Sequence, residues 1–280
     1  MSSRIEILND GGLRSDGRRP LELRAVQFSL SPAASSSSSS FTTETLGMAD
    51  GSASVSMGLT RVRAAVFGPR ESLSRAQAIH NRASVNVEVV MPPFASGDAR
   101  RRRPGARDRR TQELATSLRE TFQPAILTAL YPRASIDIHI HVLQSDGGLL
   151  AAAINAASLA LVAAGVPLRD TVCAVSAGVH TATALLDLSA LEENDVPHAT
   201  VAVLPRSGGI ALVSMETRLH VDRFGEMFEK AGEAAKVLAV EMKRAIGDRS
   251  ERLLAAMASG VGSGGAGTAE GDDDAMALEA

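Results

Sequence analysis

Residues 134–165 read ASIDIHIHVLQSDGGLLAAAINAASLALVAAG, and this stretch decides the fold class. From Ser135 to Leu143 apolar and polar residues alternate. Ile136, Ile138, Ile140 and Val142 fall on one parity, and Asp137, His139 and His141 on the other. A period of two is the mark of a strand with one buried face. Asp146-Gly147-Gly148 then breaks the pattern, and an Ala-rich helix is predicted over about 148–164, with Gly165 where a left-handed residue closes a helix. No charged residue occurs between Leu149 and Leu168. Ala contributes little transfer free energy, and Asn155, Ser158 and Pro167 interrupt the run. It therefore reads as a helix packed on a sheet and not as a bilayer span.

Working outward, strands are predicted at Leu21–Leu30, Ser52–Met57, Val62–Phe67 and Ser84–Met91, with Gly58-Leu59 as a hairpin turn. An amphipathic helix is predicted from Arg109 to Leu130, ended by Pro132. Its apolar stripe is Leu114, Leu118, Phe122 and Ile126. Further strands are expected at Thr171–Ala177, Thr183–Asp187, Thr200–Leu204 and Ile210–Ser214, then a long helix from His220 to Ile246. Strands, helix, strand, helix, strands, helix is the order of an α/β domain with a mixed sheet and packed helices. The expected domain covers 1–250. Residues 31–47 form a Ser-rich insert with six consecutive serines, and 251–280 a Gly-rich acidic tail. Neither can bury enough apolar surface to offset its ordering entropy, so both are expected to be disordered.

Composition narrows the function. Aromatic residues make up 3% of the 280, with no Trp and one Tyr, so stacking on exposed bases is hardly available and any nucleic-acid grip must rest on charge. The net charge of −3 means that basicity has to be local to matter. The single cysteine, Cys173, excludes an intrachain disulfide and a cysteine-cluster metal site. The first dozen residues lack the pattern of a signal peptide.

The strongest local charge is RRRRPGARDRR at 100–110, with seven arginines and one aspartate. Guanidinium forks match phosphate oxygens, and Arg109 and Arg110 sit at a predicted helix start, where backbone amides also favour anions. Asp146-Gly147-Gly148 resembles a glycine loop that cradles an anion, though no Gly-Lys-Ser/Thr follows. His139 and His141 share a strand face but have no third metal ligand in view. Asp187, Glu192, Glu193 and Asp195 read either as exposed loop carboxylates or as a divalent-metal or proton-donor cluster.

Several segments together resemble the RNase PH family, collinearly over about residues 8–246. They are LRSDGRRPLELR (13–24), ADGSASVSMGLTRVRAAVFGPRE (49–71), LRETFQPAILTALYPRASIDIHIHVLQSDGG (118–148), ASLALVAAGVPLRD (157–170) and LLDLSALEE (185–193). The resemblance implies a fold of two βαβα-like halves related to domain 2 of ribosomal protein S5. It implies a six-membered ring around an RNA channel, as in the core of the RNA exosome. The partners implied are RNA, other RNase PH-like subunits (above all a ribosomal RNA-processing protein 45-type neighbour), S1/KH cap subunits and an associated hydrolytic 3'-5' exoribonuclease. Nucleus, nucleolus and cytoplasm are the implied locations, with no membrane, metal or cofactor.

Active relatives attack the 3' end of RNA with inorganic phosphate. The resemblance carries their RNA-holding basic residues onto Arg75, Arg109 and Arg110. It carries their phosphate loop onto Gly147, Gly148, Leu149 and Leu150, with leucines where active relatives have Ser-Arg. Losing one charge-assisted donor of this kind costs about 2–5 kcal/mol of anion binding. For the catalytic acid, strand register places His198 where active relatives have Asp. Asp195, in Glu193-Asn194-Asp195-Val196-Pro197, fits only after a three-residue slip, which would reverse the pleat. The sequence thus favours a catalytically silent ring subunit that threads RNA, over a phosphorolytic enzyme using Asp195 or an RNA-independent interaction module.

Overall fold

The structure, a computed structural model, describes residues 7–9, 11–31, 49–71, 79–95, 108–181 and 183–262. Thirteen elements follow in chain order: β1 (Val26–Ser31), β2 (Gly51–Met57), β3 (Thr60–Glu71), β4 (Ser84–Val90), α1 (Arg109–Ala125), β5 (Ala134–Gln144), α2 (Leu149–Ala163), β6 (Cys173–His180), β7 (Thr183–Leu186), α3 (Ala190–Asp195), β8 (His198–Val203), β9 (Ile210–Met215) and α4 (Val221–Gly262). They build two sheets. One is mixed, in the order β1-β2-β3-β5-β4 with β4 parallel to β5, and the other is antiparallel, in the order β7-β6-β8-β9.

The decisive stretch folds as its pattern demands. In β5, Ile136, Ile138, Ile140 and Val142 are buried, while Asp137, His139 and His141 stay on the partly exposed face. Helix α2 is buried from Ala151 to Leu161 and packs against β2 and β3 of one sheet and β6 of the other. This central position explains why it is apolar all round. Its polar residues have structural partners. Asn155 Nδ2 donates to the Ala174 carbonyl at 2.9 Å, Ala174 N–H donates to Asn155 Oδ1 at 2.8 Å, and Val172 N–H donates to Ser158 Oγ at 3.0 Å. Gly51 abuts the end of α2 so closely that a Cβ would lie 2.2 Å from Ala164 N. Among the described residues, no helix is long and apolar enough to cross a membrane.

Several predicted boundaries move. The Gly58-Leu59 turn forms, with Met57 opposite Thr60 and Gly58 at φ 58°. The first strand starts at Val26 and not Leu21. Helix α1 stops at Ala125, one residue after Pro124, well before Pro132. Pro124 lacks an N–H and crowds the preceding turn. The chain then leaves the helix as Leu127 N–H donates to the Pro167 carbonyl and Arg169 N–H to the Ala125 carbonyl. Helix α4 continues past Ile246 to Gly262, through the helix-favouring run ERLLAAM. The Ser-rich insert from 32 onward and the tail beyond 262 lie outside the described residues.

Candidate active-site cleft and nucleic-acid interface

The loop before α2 is shaped by a clamp of buried charges. Arg24 Nη1 donates to the Asp146 carbonyl at 2.6 Å, and its Nη2 donates to Asp187 Oδ1 at 2.6 Å and to the Gly147 carbonyl at 3.3 Å. Thr60 Oγ1 also donates to the Gly147 carbonyl, at 2.7 Å. Gly147 and Gly148 take left-handed conformations (φ 74° and 62°), which favour glycine. A Cβ on Gly147 would sit 2.4 Å from the Leu188 carbonyl oxygen, and one on Gly148 would sit 3.0 Å from Arg24 Nη2. Close packing therefore accounts for both glycines without an anion.

A second buried pair holds helix α3. Arg14, 1% exposed, grips Glu192 in a two-point contact along one edge of its guanidinium: Nε to Oε1 at 2.8 Å and Nη2 to Oε2 at 2.6 Å. Ser189 N–H donates to Glu192 Oε2 at 2.9 Å, the carboxylate half of a capping box at the start of α3. Burial alone would raise the Glu192 carboxyl, but Arg14 and the Ser189 N–H outweigh it and hold the group below its ordinary pKa. Two of the four clustered carboxylates, Asp187 and Glu192, are thus buried partners of Arg24 and Arg14 and not exposed loop charges.

Glu193, the next residue, faces the other way. Its Oε1 accepts a hydrogen bond from Gly148 N–H, the N-cap amide of α2, at 2.6 Å. Burial pushes this carboxyl above its ordinary pKa. It opens onto a cleft of about 340 Å³ lined by Arg110, Glu113, Leu114 and Ser117 of α1, Leu149 and Leu150 of α2, Glu193, His198 and Thr200 of β8, Ser214 of β9, and Glu216.

The structure thus brings Arg110, Leu149, Leu150 and His198 to one cleft, with Gly148 at its edge through Glu193. Leu149 and Leu150 are half-buried against the core. His198 opens β8, and its Nδ1 lies 3.1 Å from the Val196 carbonyl. Asp195 ends α3, is exposed, and is not among the cleft residues. Arg109 stands at the rim, its side chain 91% exposed and its Nε donating to Glu113 Oε1 at 2.9 Å. Arg75 and most of the arginine run, 100–107, lie outside the described residues.

Sequence reading overlooked Glu113, Ser117, Thr200, Ser214 and Glu216. Part of the signal was legible. His198 and Thr200 alternate with the apolar Ala199 and Val201 along β8, and Thr200 pairs with Ser214 across β8–β9, so the polar parity of two strands marks one cleft wall. Among the described lining residues, three carboxylates stand against one guanidinium and a histidine, and in a partly desolvated space carboxylates repel an anion more strongly than in water. Elsewhere, His139 pairs with Glu88 at 3.2 Å on the open face of the first sheet. Among the described residues, no three His, Cys, Asp or Glu could hold a metal ion. Burial pushes the Cys173 thiol up to about 12, away from nucleophilic use.

Comparison with known proteins places this architecture. Residues 23–167 match domain 1 of the 3' exoribonuclease family RNase_PH, and residues 170–234 match its domain 2. The human exosome complex component RRP41 is 45% identical over 234 residues, covering 83% of this chain and 89% of the relative. The crystal structure of rice Rrp46 superposes with a TM-score of 0.68 at 26% identity, covering 82% of this chain and 98% of that one. A chain of the Archaeoglobus fulgidus exosome, solved with RNA bound to the active site, shares the fold with a TM-score of 0.67 at 22% identity, covering 82% of this chain and 93% of that one. Two consecutive domain matches over most of the chain, on two sheets joined by α2, establish that it belongs to the RNase PH family of 3' exoribonucleases.

Proposed function

We infer that the chain is an RNA-guiding subunit of an exosome core ring and does not itself carry out phosphorolysis. The observation that carries this reading is the cleft wall at the start of α2. The Leu149 and Leu150 side chains offer no donor to a phosphate, and the N-cap amide of Gly148 is already given to Glu193. Asp195, the remaining candidate acid, stands outside the cleft. RNA contact is assigned to Arg109 and Arg110 at the start of α1, with Arg75 as a third cation. The Arg109–Glu113 pair is exposed, so an RNA phosphate can replace the carboxylate at little cost.

The relatives' names support placing the chain in an exosome beside RNA and further subunits. In this reading its neighbours are RNase PH-like chains in a six-membered ring, including the 45-type neighbour, with S1/KH caps and a separate hydrolytic 3'-5' exoribonuclease. Processing and decay of ribosomal and other RNAs in nucleus and cytoplasm follow from that placement. The test is crosslinking of RNA to the reconstituted ring. RNA is expected to crosslink at Arg109 and Arg110 and to be lost as salt rises, because phosphate contacts release counterions. Unchanged RNA protection after charge reversal of both arginines would overturn the assignment.

A further inference from the structure

The far end of α2 carries a second basic surface. A cleft of about 600 Å³ opens there between the α2 C-terminus, the β8–β9 turn and α4. Val166 and Leu168 contribute an apolar floor, and Arg169, Arg206 and Lys243 stand around it. All three cations are exposed, and none has an ion-pair partner among the described residues. The one carboxylate among the lining residues, Asp170, is given to backbone amides. It accepts from Arg206 N–H at 2.7 Å, Ser207 N–H at 3.3 Å and Thr171 N–H at 2.8 Å. Beside the cleft, Arg249 Nη2 donates to the Ala163 carbonyl at 3.3 Å, while its Nε is buried without a hydrogen-bond partner among the described residues. Capping the α2 C-terminus accounts for Arg249, since open helix carbonyls attract cations. It does not account for the other three, whose default state is solvation.

What singles out this cleft is the chain that leaves it. Helix α4 carries Lys243 and Arg249 past the cleft and ends at Gly262. Beyond Arg252 the sequence holds no Lys, Arg or His, and residues 270–279 read EGDDDAMALE, five carboxylates with the apolar Met276 and Leu278. Gly262 lies nineteen helical residues beyond Lys243, about 28 Å at the rise of an α-helix. The ten residues from Gly262 to Asp272 span up to about 33 Å when extended, so the acidic run reaches back to the cleft. By charge alone the arginine run at 100–110 is a rival target. Its described end, Arg109 and Arg110, stands at the opposite end of α2, whose 15 residues span about 22 Å.

We propose that residues 270–279 of this chain dock in the basic cleft between α2, the β8–β9 turn and α4, with their carboxylates on Arg169, Arg206 and Lys243 and with Met276 and Leu278 on the apolar floor. The segment matches the cleft in both charge and apolar content, and the tether to α4 supplies it at high local concentration. The docking does not depend on whether the chain phosphorolyses RNA. In the RNA-guiding reading it has a use: it keeps five negative charges away from the arginines at the other end of α2.

The experiment uses the three lysines of the full-length chain, Lys230, Lys236 and Lys243, all of them on α4. Zero-length carbodiimide coupling joins an amine to a carboxylate only where the two touch. Peptide mapping is expected to show residues 270–279 coupled to Lys243 at least about tenfold more than to Lys236, with the excess lost at high salt. Arg169→Ser/Arg206→Ser should cut the Lys243 product about fivefold, since two of three cations are gone. Equal coupling to all three lysines would overturn the proposal, and so would a Lys243 product that survives loss of both arginines. Mixing isotope-labelled with unlabelled protein identifies the owner of the tail: products joining the two populations would assign the cleft to a second copy and overturn the intrachain docking. A second measurement leaves the cleft unaltered. Hydrogen exchange at residues 206–209 is expected to be slower in the native chain than in Asp272→Asn/Asp273→Asn/Asp274→Asn. Unchanged exchange there, or a difference at Arg109–Glu113 instead, would overturn the docking.

Discussion

Glu192 and Glu193 are adjacent in sequence and lie in opposite worlds. Glu192 is buried against Arg14, and its carboxyl is held below its ordinary pKa; Glu193 is half-buried against a backbone amide in a cleft with two other carboxylates, and its carboxyl is raised. The first belongs to a clamp in which nearly every charge has a partner. The second belongs to a cleft whose charges do not balance. The clamp takes in Arg14 and Arg24 of LRSDGRRPLELR, one of the stretches that carry the resemblance in the sequence. That stretch therefore reports how the start of α2 is held and says little about whether chemistry happens there.

The largest effect is expected from breaking the clamp. Arg14→Ala leaves Glu192 buried and unpaired, and should cost about 3–5 kcal/mol in chemical denaturation. Removing both partners, as in Arg14→Met/Glu192→Leu, should cost far less, because no orphan charge remains. A single variant as stable as the native chain would mean that the pair does not anchor α3.

The neighbouring glutamates also predict opposite responses to pH. Glu192 is depressed, so its stabilising share is present above the pKa of an unfolded glutamate and disappears as pH falls through its lowered value. Glu193 is raised, so its ionised form costs stability at neutral pH and the cost fades as pH falls through the raised value. Glu193→Gln is expected to be at least as stable as the native chain at neutral pH, with the difference shrinking on acidification. Thermal melts across this range check both signs, and a Glu193→Gln deficit at neutral pH would contradict the assignment.

How much of this was legible follows from the range of each interaction. Alternation in β5 and the all-round apolar surface of α2 are local patterns, and both were readable. The capping box Ser189-x-x-Glu192 is also local and marks the short helix α3, which the sequence reading passed over as a loop. The early end of α1 at Pro124 was readable in the same way. Glu192 and Asp187 lie more than 160 residues from Arg14 and Arg24, so no local pattern could reveal that these two carboxylates are buried. The cleft was half legible: Leu149, Leu150 and His198 were named, while Glu113 and Glu216 converge from α1 and the end of β9 only in three dimensions.

A smaller effect is expected at the rim. Charge reversal at Arg109 and Arg110 should leave ring assembly intact and flatten the salt dependence of RNA binding, lowering its logarithmic slope by roughly two. An unchanged slope would remove these arginines from the RNA path. The smallest effect is expected from His198→Ala, a half-buried strand-end substitution that should shift stability by less than about 1 kcal/mol. RNA turnover by a complete assembly should not change with it.

The central claim is that RNA passes this subunit without being cut by it. The direct measurement is release of nucleoside diphosphates from a labelled RNA by the reconstituted ring, without any hydrolytic nuclease, in the presence and absence of inorganic phosphate. The account predicts intact RNA in both conditions. Phosphate-dependent release that is abolished by Asp195→Asn in this chain would contradict it.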